Sequence, residues 1–139
     1  KKPNPLLLKK IKKEKLLYIN STMKSSIRYP KGFDRKKKAF LLSGIGNPKN
    51  FEKSARSHGC IIVGAKRFKD HYLYNKKSLL KIIQLAKNLK ADYILTTEKD
   101  WVKIEPLKPD FFFVVLKIEL NLLEKEKIKN ILKNNLIYI

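Results

Sequence analysis

Four apolar runs alternate with three stretches of helical periodicity between residue 38 and the end of the chain, and this alternation restricts the fold more than any other feature. The runs are KAFLLSG at 38–44, CIIVGA at 60–65, DYILTT at 92–97 and FFFVVLKIEL at 111–120. Strands that are apolar at almost every position are typical of a parallel sheet buried on both faces. Helices between successive strands provide the crossover connections that parallel strands require.

The helical stretches carry start and stop signals. In NPKNFEKSARSHG, at 47–59, Asn47 is suited to the N-cap and Gly59 to the end of the helix. NKKSLLKIIQLAKNLK, at 75–90, begins at a second capping residue, Asn75. Asn121 is spaced like the first residue of a capping box before the last stretch, 121–135, and EKDWVKI at 98–104 fits a single helical turn. The sequence therefore predicts an α/β protein, a Rossmann-like α/β/α sandwich with a mainly parallel sheet.

Residues 1–35 have no such regular pattern. A possible strand at 16–19 could pair with SSIRYP at 25–30, and Pro30 and Gly32 mark a turn after it. We interpret 1–35 as a basic connector with a small β-ribbon and 36–139 as the α/β lobe. The first residue is Lys1 rather than Met, so we expect the chain to be a segment of something longer.

The net charge of +21 points to an anionic partner. Residues 1–38 contribute 14 of the basic residues against Glu14 and Asp34. The basic residues comprise 29 Lys and only 4 Arg, and Arg is the residue suited to bidentate phosphate recognition. This imbalance argues against nucleic acid. The lysines could meet an anionic membrane surface or a phosphorylated ligand, or they could simply form a solvated lysine-rich face. A non-enzymatic basic domain that binds nucleic acid or an anionic membrane surface stays open as the alternative function.

Three polar clusters follow the first three predicted strands, where ligands bind in open α/β sheets. Because the strands are predicted to be parallel, we expect the clusters to converge on one edge of the sheet. Each cluster also has a simpler explanation: a tight turn in the first, a loop histidine in the second, and a surface Lys99–Asp100 pair in the third. The members are Gly44, Gly46 and Asn47; Asp70 and His71; and Thr96, Thr97, Glu98, Lys99 and Asp100.

Several kinds of chemistry are not indicated by the sequence. It contains no G-x-x-x-x-G-K-[ST] loop, no Cys/His metal cluster and no serine in a nucleophile elbow. Cys60 lies in an apolar run and is expected to be a buried thiol in a reducing compartment. His58, at a predicted helix end, is expected to interact with the helix dipole rather than to act in catalysis. No metal site is predicted.

Taken together, SGIGNPKNF, FKDHYLY and TTEKDWVKI resemble the C-terminal half of the tetraacyldisaccharide 4'-kinase (lipid A 4'-kinase) family, in this order and spacing. The similarity is good over 36–118 and loose elsewhere. It implies an enzyme that transfers the γ-phosphate of ATP to the 4'-hydroxyl of tetraacyldisaccharide 1-phosphate, using Mg²⁺, at the cytoplasmic face of the bacterial inner membrane. It also implies an N-terminal P-loop lobe that this sequence does not include.

The resemblance assigns roles to particular residues. His71 corresponds to the family histidine that faces an aspartate of the N-terminal lobe, with Asp70 as its neighbour. Two positions depart from the family pattern, because Lys69 stands where proline is common and Tyr72 where a second histidine is frequent. ATP and Mg²⁺ would be bound mainly by the N-terminal lobe, and this segment alone is expected to be inactive.

Overall fold

A computed structural model of the chain describes residues 5–6, 21–29, 33–34, 36–122, 126 and 129–130. The chain divides into two compact units, of which Ser25–Glu119 is the larger and Lys1–Lys24 with Leu120–Ile139 the smaller. The strands are β1 Ser21–Arg28, β2 Lys38–Ser43, β3 Ile61–Arg67, β4 Tyr93–Thr97 and β5 Phe113–Leu122. The helices are α1 Pro48–Ser57, α2 Lys76–Asn88 and α3 Glu98–Ile104, followed by a short 3-10 helix at Glu105–Leu107.

The strands form a five-stranded sheet in the order β1-β5-β4-β2-β3. β2 pairs in parallel with both β3 and β4, and β4 pairs in parallel with β5. The predicted α/β class with a mainly parallel sheet is therefore confirmed. β2 and β4 are buried along almost their whole length, as their apolar runs predicted.

Alternate residues of β2 face opposite sides of the sheet and belong to two separate cores. Phe40 and Leu42 pack with the buried face of α2, whereas Ala39 and Leu41 pack with Phe51 of α1 and its neighbours. Helices therefore cover both faces of the sheet, which is the predicted sandwich. The α2 side of the core contains the helical residues Leu79, Ile82, Ile83 and Ala86.

The predicted capping residues act as caps. The Asn47 side chain accepts a hydrogen bond from the Asn50 amide at 3.2 Å. Asn75 and Ser78 form a reciprocal capping box at the start of α2, and each side chain accepts from the backbone N–H of the other. Gly59 follows α1 with φ of 77°, a left-handed conformation that favours glycine. α3 extends over seven residues, more than the single turn predicted for EKDWVKI.

The structure corrects two other predictions. β3 was expected to be a buried strand, but it lies at the edge of the sheet and most of its residues are exposed or half-buried. Asn121 was expected to cap the last helix, but β5 continues to Leu122, so Asn121 belongs to a strand. Beyond it, Glu126 is helical and forms an ion pair with Lys129 at 2.8 Å.

Part of the predicted connector falls outside the described residues, including the possible strand at 16–19. The partner stretch at 25–30 overlaps β1, which lies beside β5 in the main sheet. The proposed division between residues 35 and 36 stays a prediction. His58 is the C-cap of α1, and its Nε2 lies 3.0 Å from the carbonyl oxygen of Ser25.

Candidate functional site

The three polar clusters lie together beyond the carboxyl ends of β2, β3 and β4. Ser43, the last residue of β2, pairs with Arg67 at the end of β3, and its carbonyl accepts from the Phe68 amide at 2.8 Å. Thr96 of β4 pairs with Leu42 on the other side of β2. The three segments that follow these strands therefore lie at the same end of the sheet. Contacts among Gly44, Asp70, Lys99 and Asp100 join the three segments.

The first cluster is a glycine turn between β2 and α1. The Gly44 amide donates to Oδ2 of Asp100 at 2.9 Å. A Cβ at Gly44 would lie 3.1 Å from both Oδ1 of Asp100 and the Tyr74 hydroxyl, so this position favours a residue without a side chain. A Cβ at Gly46 would lie 3.4 Å from Oδ2 of Asp70. The turn therefore passes close to both other clusters, and Asn47 completes it by capping α1.

The second cluster is the Asp70–His71 loop after β3. His71 adopts a left-handed conformation with φ of 61°, uncommon for a residue other than glycine. Its amide donates to Oδ1 of Asp70 at 2.9 Å, while its ring Nε2 lies 3.9 Å from Oδ2 of the same carboxylate. Asp70 thus fixes the backbone of His71 by a hydrogen bond and lies near the ring only at ion-pair distance. The imidazole is 79% exposed.

Lys99 connects this loop to the third cluster. Its Nζ donates to Oδ1 of Asp70 at 2.9 Å. This hydrogen bond is the main reason that the pKa of Asp70 lies below its usual value, and the hydrogen bond from the His71 amide acts in the same direction. The Asp70 carboxylate is therefore negatively charged at neutral pH beside the exposed imidazole.

The third cluster occupies the end of β4 and the first turn of α3. Thr97 caps the helix, because its Oγ1 accepts from the Asp100 amide at 3.2 Å and donates to Oδ2 of Asp100 at 2.8 Å. Asp100 is completely buried. The interpretation of Lys99 and Asp100 as a surface pair is therefore wrong, since Lys99 binds Asp70 and Asp100 faces Gly44. Thr96 is also buried, and Glu98 is exposed.

The aromatic residues around His71 form a packed group. The Phe68 and Tyr72 rings are stacked with centroids 3.9 Å apart, and Tyr74 meets both rings edge-on. Tyr74 belongs to the core on the α2 side of the sheet, and the partly buried Phe68 and Tyr72 pack against that core. Tyr72, one of the two departures from the family pattern, therefore anchors the loop, and Lys103 adds a hydrogen bond to its carbonyl at 3.2 Å.

Lys69, the second departure, takes part in the turn itself. Its carbonyl oxygen accepts from the Tyr72 amide at 3.3 Å and closes the turn around Asp70 and His71. Proline would keep this carbonyl acceptor but lacks a backbone N–H. The Asp-His turn is thus closed by backbone groups and by the aromatic group, with Lys69 in place of proline.

Sequence reasoning missed the burial of Asp100 and the contribution of Tyr74. One signal was present, because Thr97 and Asp100 have the T-x-x-D spacing of a helix-capping box. That spacing predicts a helix start with an acidic residue turned back toward the cap. No signal in the sequence indicated that the same carboxylate would accept the Gly44 amide, 56 residues away along the chain.

An open groove of about 410 Å³ adjoins the Asp-His loop, between the end of β3 and α2. Its lining combines lysines with apolar and aromatic side chains: Lys66, Lys77, Lys81, Phe68, Tyr72 and Leu85 among them.

Within the described ranges, no three His, Cys, Asp or Glu residues are grouped so that they could bind a metal ion. In the same part of the chain, none of the helices has the length and apolar character needed to cross a membrane.

Comparison with known proteins identifies the family. The profile described as tetraacyldisaccharide-1-P 4'-kinase matches residues 5–137. The tetraacyldisaccharide 4'-kinase of Rickettsia canadensis (strain McKiel) is 36% identical over 105 residues, which cover 76% of this chain and 32% of the relative. That of Rickettsia bellii (strain OSU 85-389) is 40% identical over 87 residues, or 63% of this chain and 27% of the relative. The chain spans about a third of the length of these curated relatives.

One solved structure is also similar, the crystal structure of the apo form of LpxK from Aquifex aeolicus in complex with ATP. It matches with a TM-score of 0.48 and 20% identity, over 82% of this chain and 35% of that one. The family profile covers nearly the whole sequence, including all three motifs of the site. The chain belongs to the tetraacyldisaccharide-1-P 4'-kinase family.

Proposed function

We propose that this chain is the C-terminal part of an ATP-dependent kinase that phosphorylates the 4'-hydroxyl of tetraacyldisaccharide 1-phosphate, a step of lipid A and lipopolysaccharide biosynthesis. Family membership supports the reaction class. The observation that carries the proposal is the exposed His71 ring, which lies on a loop hydrogen-bonded to Lys99 of α3 and close to the glycine turn, at the carboxyl ends of the strands. This edge is where open α/β folds bind their ligands.

His71 is the residue of this chain that acts on the reacting groups. Its ring is exposed, so it is accessible to a second lobe across a cleft. An imidazole beside a carboxylate can transfer a proton or stabilise charge near neutral pH. Asp70 contributes a negative charge next to the ring and accepts the His71 amide, which fixes the unusual backbone of the loop.

The described residues do not by themselves form a binding site for ATP or Mg²⁺. Asp70 is engaged by Lys99, Asp100 is buried, and the described residues contain no cluster of three potential metal ligands. The sequence also has no loop that could cradle a triphosphate. In the proposal, ATP and Mg²⁺ belong to an N-terminal P-loop lobe in the rest of the protein, and His71 faces that lobe.

The chemistry of this surface suits an anionic, acylated substrate. The groove beside the loop combines three lysines with Phe68, Tyr72 and Leu85, so it offers positive charge and apolar surface together. The net charge of +21 is also compatible with an anionic bilayer. We propose that the protein is peripheral to the cytoplasmic face of the bacterial inner membrane, where its lipid substrate and an anionic surface are both accessible.

The decisive experiment compares two variants in the full-length protein. His71→Ala should lower turnover by about 10² to 10⁴ at an unchanged melting temperature. Ile83→Ala, in the α2 core, should instead lower the melting temperature first. Wild-type turnover by His71→Ala at saturating ATP and lipid would reduce the Asp-His loop to a structural role.

A second experiment tests the isolated segment, which should neither hydrolyse ATP nor phosphorylate the lipid. Detectable kinase turnover by the 139-residue chain would contradict the assignment of ATP to another lobe. If the full-length protein had no kinase activity, and if random DNA bound with micromolar affinity and a steep salt dependence, the non-enzymatic alternative would replace the proposal.

A further inference from the structure

We propose that Asp100 is a positioning residue, which fixes the glycine turn and the Asp70–His71 loop relative to each other from the interior of the fold. Asp100 is 0% exposed, so it cannot touch a substrate. Its Oδ2 accepts from the Gly44 amide at 2.9 Å and from the Thr97 hydroxyl at 2.8 Å. Burying a carboxylate is costly unless it is hydrogen-bonded, and these two bonds compensate the burial of Oδ2. The contact with Gly44 joins α3 directly to the first cluster.

Tyr74 extends the same junction to the loop that carries His71. Its side chain is 8% exposed, and its hydroxyl has no hydrogen-bond partner among the described residues; the same is true of Oδ1 of Asp100. Both atoms lie 3.1 Å from the position that a Cβ on Gly44 would occupy. Burial, and then the Asp100 charge, raise the pKa of Tyr74 above its usual value, so the hydroxyl keeps its proton. Three segments therefore meet around one carboxylate.

Lys99, the residue before Asp100, restrains the same loop from the protein surface. Lys99 and Asp100 are consecutive in the first turn of α3, so their side chains point about 100° apart. Lys99 binds Asp70 at the surface, while Asp100 binds Gly44 in the interior. The loop is consequently restrained at Asp70 by Lys99 and at Tyr74 by packing around Asp100. His71 lies between these two restraints in a left-handed conformation, which persists only where the surroundings enforce it.

Removal of the Asp100 carboxylate should loosen the Asp70–His71 loop more than the rest of the fold. Asp100→Asn keeps an oxygen that can accept the Gly44 amide but loses the charge, whereas Asp100→Ala loses the acceptor. Hydrogen exchange of the His71 amide, which bonds to Asp70 and does not touch Asp100, reports on the loop. In Asp100→Ala this amide should exchange about tenfold faster or more, and Asp100→Asn should lie between the wild type and the alanine variant.

A matched control separates positioning from general stability. Ile104→Val changes a fully buried residue of the same helix that is part of the hydrophobic core. It should lower the melting temperature without accelerating the His71 amide relative to amides of α2. Tyr74→Leu, which removes the ring that packs at the junction, provides a second test if Asp100→Ala does not fold, and it should also accelerate exchange of the His71 amide. Unchanged His71 exchange in both Asp100→Asn and Tyr74→Leu would overturn the inference.

The consequence for turnover rests on the proposed function. In the full-length kinase, Asp100→Asn should reduce kcat more than it raises KM, because the binding surfaces remain and the orientation of His71 is lost. If the wild-type protein were inactive, the proposed function would fail, while the exchange experiment would still decide the role of Asp100. If the wild type were active and Asp100→Asn matched it in kcat and in His71 exchange, only the positioning role would fail.

Discussion

Lys99 and Asp70 form an ion pair of 2.9 Å between two segments that are separated by a whole helix and a strand of the chain. The same carboxylate accepts the backbone amide of His71. The pair therefore connects the first turn of α3 to the backbone of the candidate catalytic residue. The strength of this ion pair can be measured through the pKa of Asp70, which the pair lowers.

Lys99→Gln should raise the pKa of Asp70 toward its usual value of 3.8, because the hydrogen bond from Lys99 is the main cause of the lowered pKa. Asp70 has a lowered pKa in the folded state, so its contribution to stability is present above 3.8 and is lost as the pH falls through the folded pKa. Titration of the Asp70 carboxyl resonance by NMR measures the shift. Lys53→Gln, at an exposed position of α1, is the control, and equal titration curves for both variants would contradict the assignment.

Ile83→Ala should destabilise the protein by about 2 to 5 kcal/mol, because it leaves a cavity in the core on the α2 side of the sheet. Ile83 is 5% exposed, whereas Leu80 on the same helix is 65% exposed. Leu80→Ala removes a side chain of the same size and should change the free energy of unfolding by no more than about 0.5 kcal/mol. Urea unfolding of the two variants checks the difference, and similar losses would mean that this face of α2 is misplaced.

Gly64→Ala should cost about 1 to 3 kcal/mol through overpacking between β3 and the core. A Cβ at this position would lie 2.6 Å from Cδ1 of Leu89 and 3.0 Å from the Phe40 ring. Leu89 is half-exposed and can move, but Phe40 is fully buried and cannot. Phe40→Leu combined with Gly64→Ala should therefore lose less stability than the sum of the single variants, which a double-mutant cycle measures. Strict additivity would indicate that the crowding lies elsewhere.

Raising the pH should unfold the protein through its buried tyrosines. Burial raises the pKa of Tyr74 and of Tyr93 above the usual 10.0, so each favours folding fully below that value. Their contribution is lost as the pH rises from 10.0 toward the folded-state pKa values. Two of the six tyrosines should therefore ionise together with unfolding, visible as a cooperative step in tyrosinate absorbance. Tyr74→Phe should move the step to higher pH, and gradual ionisation without unfolding would refute the prediction.

Local sequence signals predicted much of this fold. Asn75 and the apolar spacing of α2 specify that helix within a single stretch, and the apolar runs of β2 and β4 indicate strands buried on both faces. The order of strands within the sheet is a tertiary property. CIIVGA looks as apolar as the other runs, yet β3 is the last strand of the sheet on its side, since no strand among the described residues pairs with its outer side.

The candidate site was predictable in outline but not in its contacts. The position of each cluster after a parallel strand was enough to predict that they would meet. The partners within the site depend on the direction in which α3 begins. Lys99 and Asp100 are adjacent in sequence and opposite in charge, so pairing with each other was the simplest expectation. The first turn of α3 instead directs one to the surface and the other to Gly44, which no local pattern specifies.

The parallel pairing of β2 also determines how the protein reaches its fold. β2 pairs with β3 across the whole of α1 and with β4 across both α1 and α2, so neither neighbour is close to it in the chain. Pairings of this kind have a high contact order, and the entropy of closing the intervening loops must be lost before they contribute stability. Folding should therefore be slow for a protein of this size. β2 gains both of its neighbours only after two helical crossovers have formed, and the carboxyl ends of the strands, which carry the site, come together only with the last of them.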